Sequence, residues 1–326
     1  MQRFVPYLWV LSLCTLLSVT ACGSNETADE TASGELPRTE VLTFETMTLA
    51  LNTQFLRGEM GPSAQIWGEW FLPTTMAERF PAAILMHGST GVQNFHRQWA
   101  SDLNQVGIAA FVVDSFTPRG VATTTTLPRL IDAYRALAFL THHPRIDASR
   151  IALIGWSQGG AVSLYAGMRR FQAMYGPANG AFVAYVGIYA ACNFTVLDET
   201  QHDGRPMRMF HSTADTQALI GPCRDDVARL QQTGLDITLT ELPDVHHRYD
   251  DPEIPTTGIT VGPSSGHCTF LESPNHQLVN EETGQAPTDA DPCVVPTGMF
   301  QYNLPAHLAT RQAVLTFLRD VFASPH

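Results

Sequence analysis

The sequence predicts an α/β fold, with a mainly parallel central sheet flanked by helices. Three observations carry that prediction. Short continuous apolar runs alternate along the chain with longer stretches whose apolar residues recur at helical spacing. One junction between a run and such a stretch reads Gly155-Trp156-Ser157-Gln158-Gly159, followed at once by Gly160, which is a sharp strand-to-helix turn with a serine at its apex. The chain of 326 residues, 44% of them hydrophobic, is also long enough to bury one large core.

The elements follow in order. Two opening strands are expected at 42–45 and 65–71, where apolar and polar residues alternate. Residues 81–86 form a continuous apolar run, the signature of a strand covered on both faces. A helix near 96–106, a buried strand at 108–113 and a helix over 128–141, introduced by Pro128, come next. The strand at 150–154 feeds the serine turn, and a helix over 161–175 leaves it. Strands are then expected at 183–190, 207–212 and 237–242, with a helix near 224–232 between the last two. The helix at 308–322 closes the chain with Val314, Leu315, Leu318 and Phe322 on one face. Residues 251–303 break the alternation. They are rich in Pro, Gly, Asp and Thr and bracket Cys268 and Cys293, so they read as an insertion without elements of its own, stapled at the rim of the site as a lid or substrate contact.

The N-terminal residues are not fold. Residues 1–21 hold one charge, Arg3, and an apolar stretch over 4–19 too short to span a membrane comfortably, which reads as a secretory signal. Residues 22–40 are polar and read as a flexible tether, leaving 41–326 as the folded domain. Nineteen basic residues face thirty-one acidic ones, a formal net charge of −12, which argues against nucleic acid or an anionic lipid surface as partner. Every basic residue is arginine. The absence of lysine removes Ser-Lys dyads, Schiff-base chemistry and phosphate loops ending in Gly-Lys-Ser/Thr. Apart from Cys14 and Cys22, four cysteines remain, and an even number in an exported chain implies disulfides. Of three connectivities, Cys192–Cys223 with Cys268–Cys293 is favoured because each bridge closes a local segment. No two cysteines stand at metal-ligand spacing, so no metal is expected, and the chemistry below calls for no cofactor.

A serine hydroxyl attacks well at neutral pH only when a histidine takes its proton and a carboxylate orients that histidine. Behind a turn of this kind the acid and then the histidine follow the serine along the chain. Asp215, just beyond the apolar run 207–211, is the acid candidate, with Asp198, Asp203 and Asp244 as alternatives. His246 and His247 follow the last core strand, and His247 is preferred as base. The oxyanion donors are expected to be the backbone N–H groups of Gln158 and of Ser89, with Thr90 the alternative to Ser89. His87 reads as a structural histidine of that loop.

With these residues the chain resembles the α/β-hydrolase superfamily, and within it the dienelactone-hydrolase-like group, over about residues 80–322. The resemblance rests on His87-Gly88-x-x-Gly91, on Asp114-Ser115-Phe116-Thr117-Pro118-Arg119-Gly120, on the serine turn, on Asp215 with Cys223 after it, and on His247-Arg248-Tyr249-Asp250. It implies an α/β-hydrolase fold and hydrolysis of a carboxylic ester. The disulfide-bearing insertion before the last helix is a departure from the group's minimal fold, so the substrate class does not carry over. The residues themselves are read as acting on a small-molecule ester through an acyl-enzyme. The group's last motif is usually His-x-Phe-Asp, which places the base at His247, with Tyr249 a departure. Its founding enzymes use cysteine on an enol-lactone; Ser157 here points away from dienelactone as substrate. A peptidase of the same fold and a non-catalytic, ligand-binding surface lipoprotein are the alternatives. Val19-Thr20-Ala21-Cys22 resembles the bacterial lipobox, which implies lipid attachment at Cys22 and membrane contact through that anchor only. Gly23 lacks the aspartate associated in lipoproteins with inner-membrane retention, so the resemblance implies the outer membrane of a bacterial envelope.

Overall fold

The computed structural model describes residues 39–324, so the expected signal, Cys22 and most of the expected tether lie outside the described residues. Strand β1 (Thr39–Met47) starts ahead of the expected domain boundary at 41, because it pairs antiparallel with β2 (Ser63–Phe71) along its whole length. A short helix, α1 (Asn52–Leu56), joins the two. Then come β3 (Phe80–Met86), α2 (Asn94–Gln105), β4 (Ala109–Asp114), α3 (Arg129–Thr141) and β5 (Ile146–Trp156). The second half contains α4 (Gln158–Tyr165), α5 (Arg169–Tyr175), β6 (Tyr185–Ile188), β7 (Phe194–Thr195), β8 (Met207–Ser212), α6 (Ile220–Gln232) and β9 (Ile237–Leu242).

Eight strands form one sheet in the order β1-β2-β4-β3-β5-β6-β8-β9, parallel from β4 to β9 and antiparallel at the β1-β2-β4 edge. Both faces are covered. Ala82, Ile84 and Met86 of β3 join Leu130, Leu137 and Val162 from α3 and α4 in one core. Ala83 and Leu85, pointing the other way, join Trp99 and Leu103 of α2 and the closing helix's Val314 and Leu318 in a second core. That is why the central strands read as unbroken apolar runs: each side chain of this size is worth about 1.5–3 kcal/mol when buried, on whichever face it lies.

Three helices differ from expectation. The helix expected over 161–175 is two, because Met168 is extended and bridges His202 while the Arg169 amide donates to the Gln201 carbonyl at 2.9 Å. Helix α6 begins a turn earlier than expected; Pro222 lies in its first turn, where no backbone donor is needed. The last helix, α7 (Leu304–Ala323), also begins early, capped by the Asn303 side chain, which accepts from the Ala306 amide at 3.0 Å.

The expectation that 251–303 lacks elements is corrected. It contains β10 (Ile259–Val261), β11 (Phe270–Glu272), β12 (Leu278–Asn280) and β13 (Gly298–Phe300). β10 pairs with β13, while β12, β11 and β7 form a second small sheet. Strands this short carry no readable period. Cys268 is bonded to Cys293 within the insertion, and Cys192 to Cys223, tying the loop after β6 to α6. The Arg170 guanidinium meets Glu272 at 2.6 Å and fixes the insertion to α5. Among the described residues no helix is long and apolar enough to cross a membrane, and no group of three or more His, Cys, Asp or Glu is placed to hold a metal.

Candidate active site

Strand β5 runs into α4 through Ser157, whose φ of 55° and ψ of −115° make it an outlier for a residue with a side chain. The close approaches around it admit only glycine. A Cβ on Gly155 would lie 1.8 Å from the Gly159 carbonyl oxygen, and one on Gly159 would lie 2.0 Å from that of Met86. The turn is held from the neighbouring strand: the Ser157 amide donates to Ile188 at 2.9 Å, and the Ala191 amide donates to the Ser157 carbonyl at 3.1 Å.

Asp215 and His247 arrive on the loops that follow β8 and β9. Those loops are joined by the Ala214 amide donating to Val245 at 3.1 Å and by the Ser212 hydroxyl donating to His246 at 3.0 Å. His247 Nε2 stands 3.1 Å from Ser157 Oγ, and His247 Nδ1 stands 2.6 Å from Asp215 Oδ2. Asp215 Oδ1 accepts the amides of Gln217 and Ala218 at 2.8 and 2.9 Å. Burial raises the pKa of this carboxyl, but the His247 imidazole and these hydrogen bonds outweigh it and leave it below the ordinary carboxylate value. An ionised Asp215 only accepts, so Nδ1 carries the proton and Nε2 is free to accept from the Ser157 hydroxyl.

The other candidates lie elsewhere. Asp203 accepts from Tyr185 and Gln172, Asp198 sits in a turn with φ of 60°, and Asp244 is exposed in the loop after β9. His246 is half-buried and offers its carbonyl to Ser212.

The loop after β3 packs directly on the serine, with a Cβ at Gly88 only 3.2 Å from Ser157 Cβ. The amides of Gln158 and Ser89 donate to no backbone carbonyl among the described residues. His87 is structural: the Ser115 amide donates to its Nε2 at 3.1 Å, so Nδ1 holds the proton and donates to the Gly88 carbonyl at 2.7 Å. Burial and the nearby Arg129 guanidinium keep its pKa well below the ordinary value, hence neutral.

Two buried groups escaped the sequence reading of roles. Arg129 donates to the His87 carbonyl and reaches Gln158 Oε1 at 3.4 Å, so one guanidinium braces the loop after β3 and the start of α4. Burial lowers its pKa to about 10, which leaves it charged at neutral pH. Asp250, fully buried, accepts from Trp99, Trp156 and Tyr189 at 2.9, 2.8 and 2.7 Å. It thereby ties the residue before Ser157 to Tyr189, whose ring packs on His247 at 4.5 Å. Burial raises the Asp250 pKa against these donors. Asp250 stands in the His-x-Phe-Asp-like motif, but that motif assigns it no partner; Arg129 carries no signal in its helix pattern, so both roles appear only in the fold.

A serine, histidine and aspartate aligned at the carboxyl ends of parallel strands define the constellation of the α/β-hydrolases. In the comparisons with known proteins, the fold is similar to that of dienelactone-hydrolase-like proteins. The acetyl xylan esterase (AXE1) family model matches residues 119–178, which run from the loop after β4 through the elbow to α5. A dienelactone hydrolase-like promiscuous phosphotriesterase from metagenomic libraries superposes with a TM-score of 0.54 at 15% identity, covering 87% of this chain and 98% of its own. The m3DLH protein superposes with a TM-score of 0.56 at 16% identity, with the same coverage of 87% and 98%. No curated protein matches the sequence.

Proposed function

We propose that the protein is a serine hydrolase that cleaves carboxylic esters through an acyl-enzyme. The reading is carried by one observation: Ser157 Oγ, His247 and Asp215 Oδ2 stand in a hydrogen-bonded row of 3.1 and 2.6 Å. His247 takes the hydroxyl proton as Ser157 Oγ bonds to the acyl carbon. The amides of Gln158 and Ser89 receive the oxyanion, and collapse breaks the ester C–O bond as His247 returns the proton to the departing alcohol. Water, activated by the same histidine, then releases the acid. The matched family is described as an acetyl xylan esterase, and this supports an ester of a short acid as substrate.

A fluorophosphonate probe on the purified domain tests the mechanism. Labelling of the parent and none of Ser157→Ala is expected, together with loss of ester turnover in the variant. Turnover retained by a folded Ser157→Ala would overturn it. The proposed location is the outer membrane of a bacterial envelope, with the chain anchored by lipid on Cys22; its support is the sequence Val19-Thr20-Ala21-Cys22-Gly23.

A further inference from the structure

Two cavities open on the Ser157–His247 pair, and they differ in size and chemistry. One holds about 10 Å³, space for a single water-sized or methyl-sized group, and is lined mainly by the rings of Phe95, Trp156, Tyr189 and Phe300, with His96 and Arg248 beside them. The other holds about 190 Å³ and offers uncharged hydrogen-bonding groups from Thr126, Gln158, Asn193, Gln217, Ser264 and Ser265. Apart from Ser157 and His247, only Ser89 and Phe300 line both. Ser89 belongs to the proposed oxyanion pair, which leaves the Phe300 ring as the shared lining group able to divide the two cavities.

That ring is brought in by the insertion and held in place. β13 pairs with β10, Phe300 bridges His247, and the Gln301 amide donates to the His247 carbonyl at 3.1 Å. The ring stacks on the imidazole at 5.5 Å and 28°, and the Arg248 guanidinium lies 5.0 Å from its centroid.

We propose that Phe300 is a specificity-determining residue: it separates an acyl pocket that accepts little beyond acetyl from a larger pocket for an uncharged, hydrogen-bonding alcohol. The inference rests on the ester-hydrolase reading above. An acyl carbonyl in the oxyanion position sends its chain to one side of Ser157, and its alkoxy group must lie on the side where His247 Nε2 can protonate it. The cavity walled by aromatic rings suits a methyl group. The polar cavity suits an alcohol that must be hydrogen-bonded when it leaves water. A pocket rejects each methylene it cannot hold by roughly 10–200-fold, so the acyl preference is set by the position of one ring.

The test holds the leaving group constant. Values of kcat/KM for p-nitrophenyl acetate, butyrate and hexanoate are compared in the parent, Phe300→Ala and Phe300→Leu, with folding of each checked by circular dichroism. The parent is expected to favour acetate over hexanoate by roughly 100-fold or more. Phe300→Ala should lower that ratio at least about tenfold through a gain on hexanoate, with Phe300→Leu between the two. A parallel loss on all three esters would mean that the ring merely supports His247 and would overturn the proposal, as would a parent that favours hexanoate. Fluorophosphonate labelling of the parent separates the two readings. Labelling with an unchanged ratio sinks the Phe300 proposal alone, whereas neither labelling nor turnover of any ester sinks both.

Discussion

Each oxygen of Asp215 has its own task. Oδ1 accepts two backbone amides and fixes the carboxylate, which leaves Oδ2 aimed at His247 Nδ1. Asn at this position keeps the shape but presents either a donor or a weaker, neutral acceptor to Nδ1, so the imidazole no longer holds its Nε2 lone pair toward Ser157. Asp215→Asn is therefore expected to lower kcat by roughly 10⁴-fold with little change in KM or melting temperature, measured by steady-state kinetics and thermal melts. A loss under about tenfold would show that the tautomer does not depend on this residue. Ser157 was legible in the sequence because the strain of the turn demands glycines at fixed positions, and Gly155 and Gly159 supply them. Asp215 is singled out by chain order and its place after an apolar strand, and His247 over His246 by the resemblance to His-x-Phe-Asp; the structure brings His247 to Ser157 and Asp215 to His247. The roles of Arg129 and Asp250 were not legible, because their partners converge on them from distant segments: Asp250 gathers donors from α2, β5 and the loop after β6.

The elements carry a different lesson. The strands buried on both faces were readable almost to the residue, as β3 and β8 show, because apolar runs bounded by polar residues leave little freedom in register. The break between α4 and α5 was not readable, since it is imposed by pairing with residues 201–203, and the short strands of the insertion depend on partners rather than on period. Helix α6 also carries an electrostatic strain. The Arg229 guanidinium is shared between Asp226 and Glu199, and the Asp226 Oδ2 atom has no partner among the described residues. The ion pair favours a charged Asp226, whereas burial, with Glu199 and Asp225 nearby, favours the neutral acid. Burial is the larger effect and lifts its pKa to about 8. The folded chain then keeps a proton that the unfolded chain, with an ordinary carboxyl near 3.9, has released. Stability from this group consequently falls as pH rises from about 4 to about 8 and is flat above that. Asp226→Asn, which mimics the neutral acid, should flatten this trend. Its melting temperature should exceed that of the parent by more at about pH 9 than at about pH 5. An equal difference at both would assign Asp226 the charged form in the folded protein.

At the scale of the whole molecule, the alternation of strand and helix was legible, but the order of strands was not. β4 lies between β2 and β3 because the antiparallel edge formed by β1 and β2 packs on β4 rather than on the next strand in sequence. No local pattern encodes that choice. The same holds for the marriage of insertion and core: residues 298–300 read as part of an irregular run, yet they add a ring to the imidazole. The molecule's charge bears on where it works. With thirty-one acidic residues against nineteen arginines, the chain has no general attraction to an anionic lipid surface, so the proposed membrane location rests on covalent lipid. A single chain gives only marginal membrane binding, whereas several acyl chains on one residue give a stable anchor. Full-length protein expressed in a Gram-negative host should accordingly sediment with membranes at high salt and enter the detergent phase on extraction. Cys22→Ser should remove it from the detergent phase without altering esterase turnover by the folded domain. A wild-type chain that stays in the soluble fraction after export would show that Cys22 carries no lipid. Ester hydrolysis by Ser157 would then stand without the anchor, because no residue of the proposed site lies in residues 1–40.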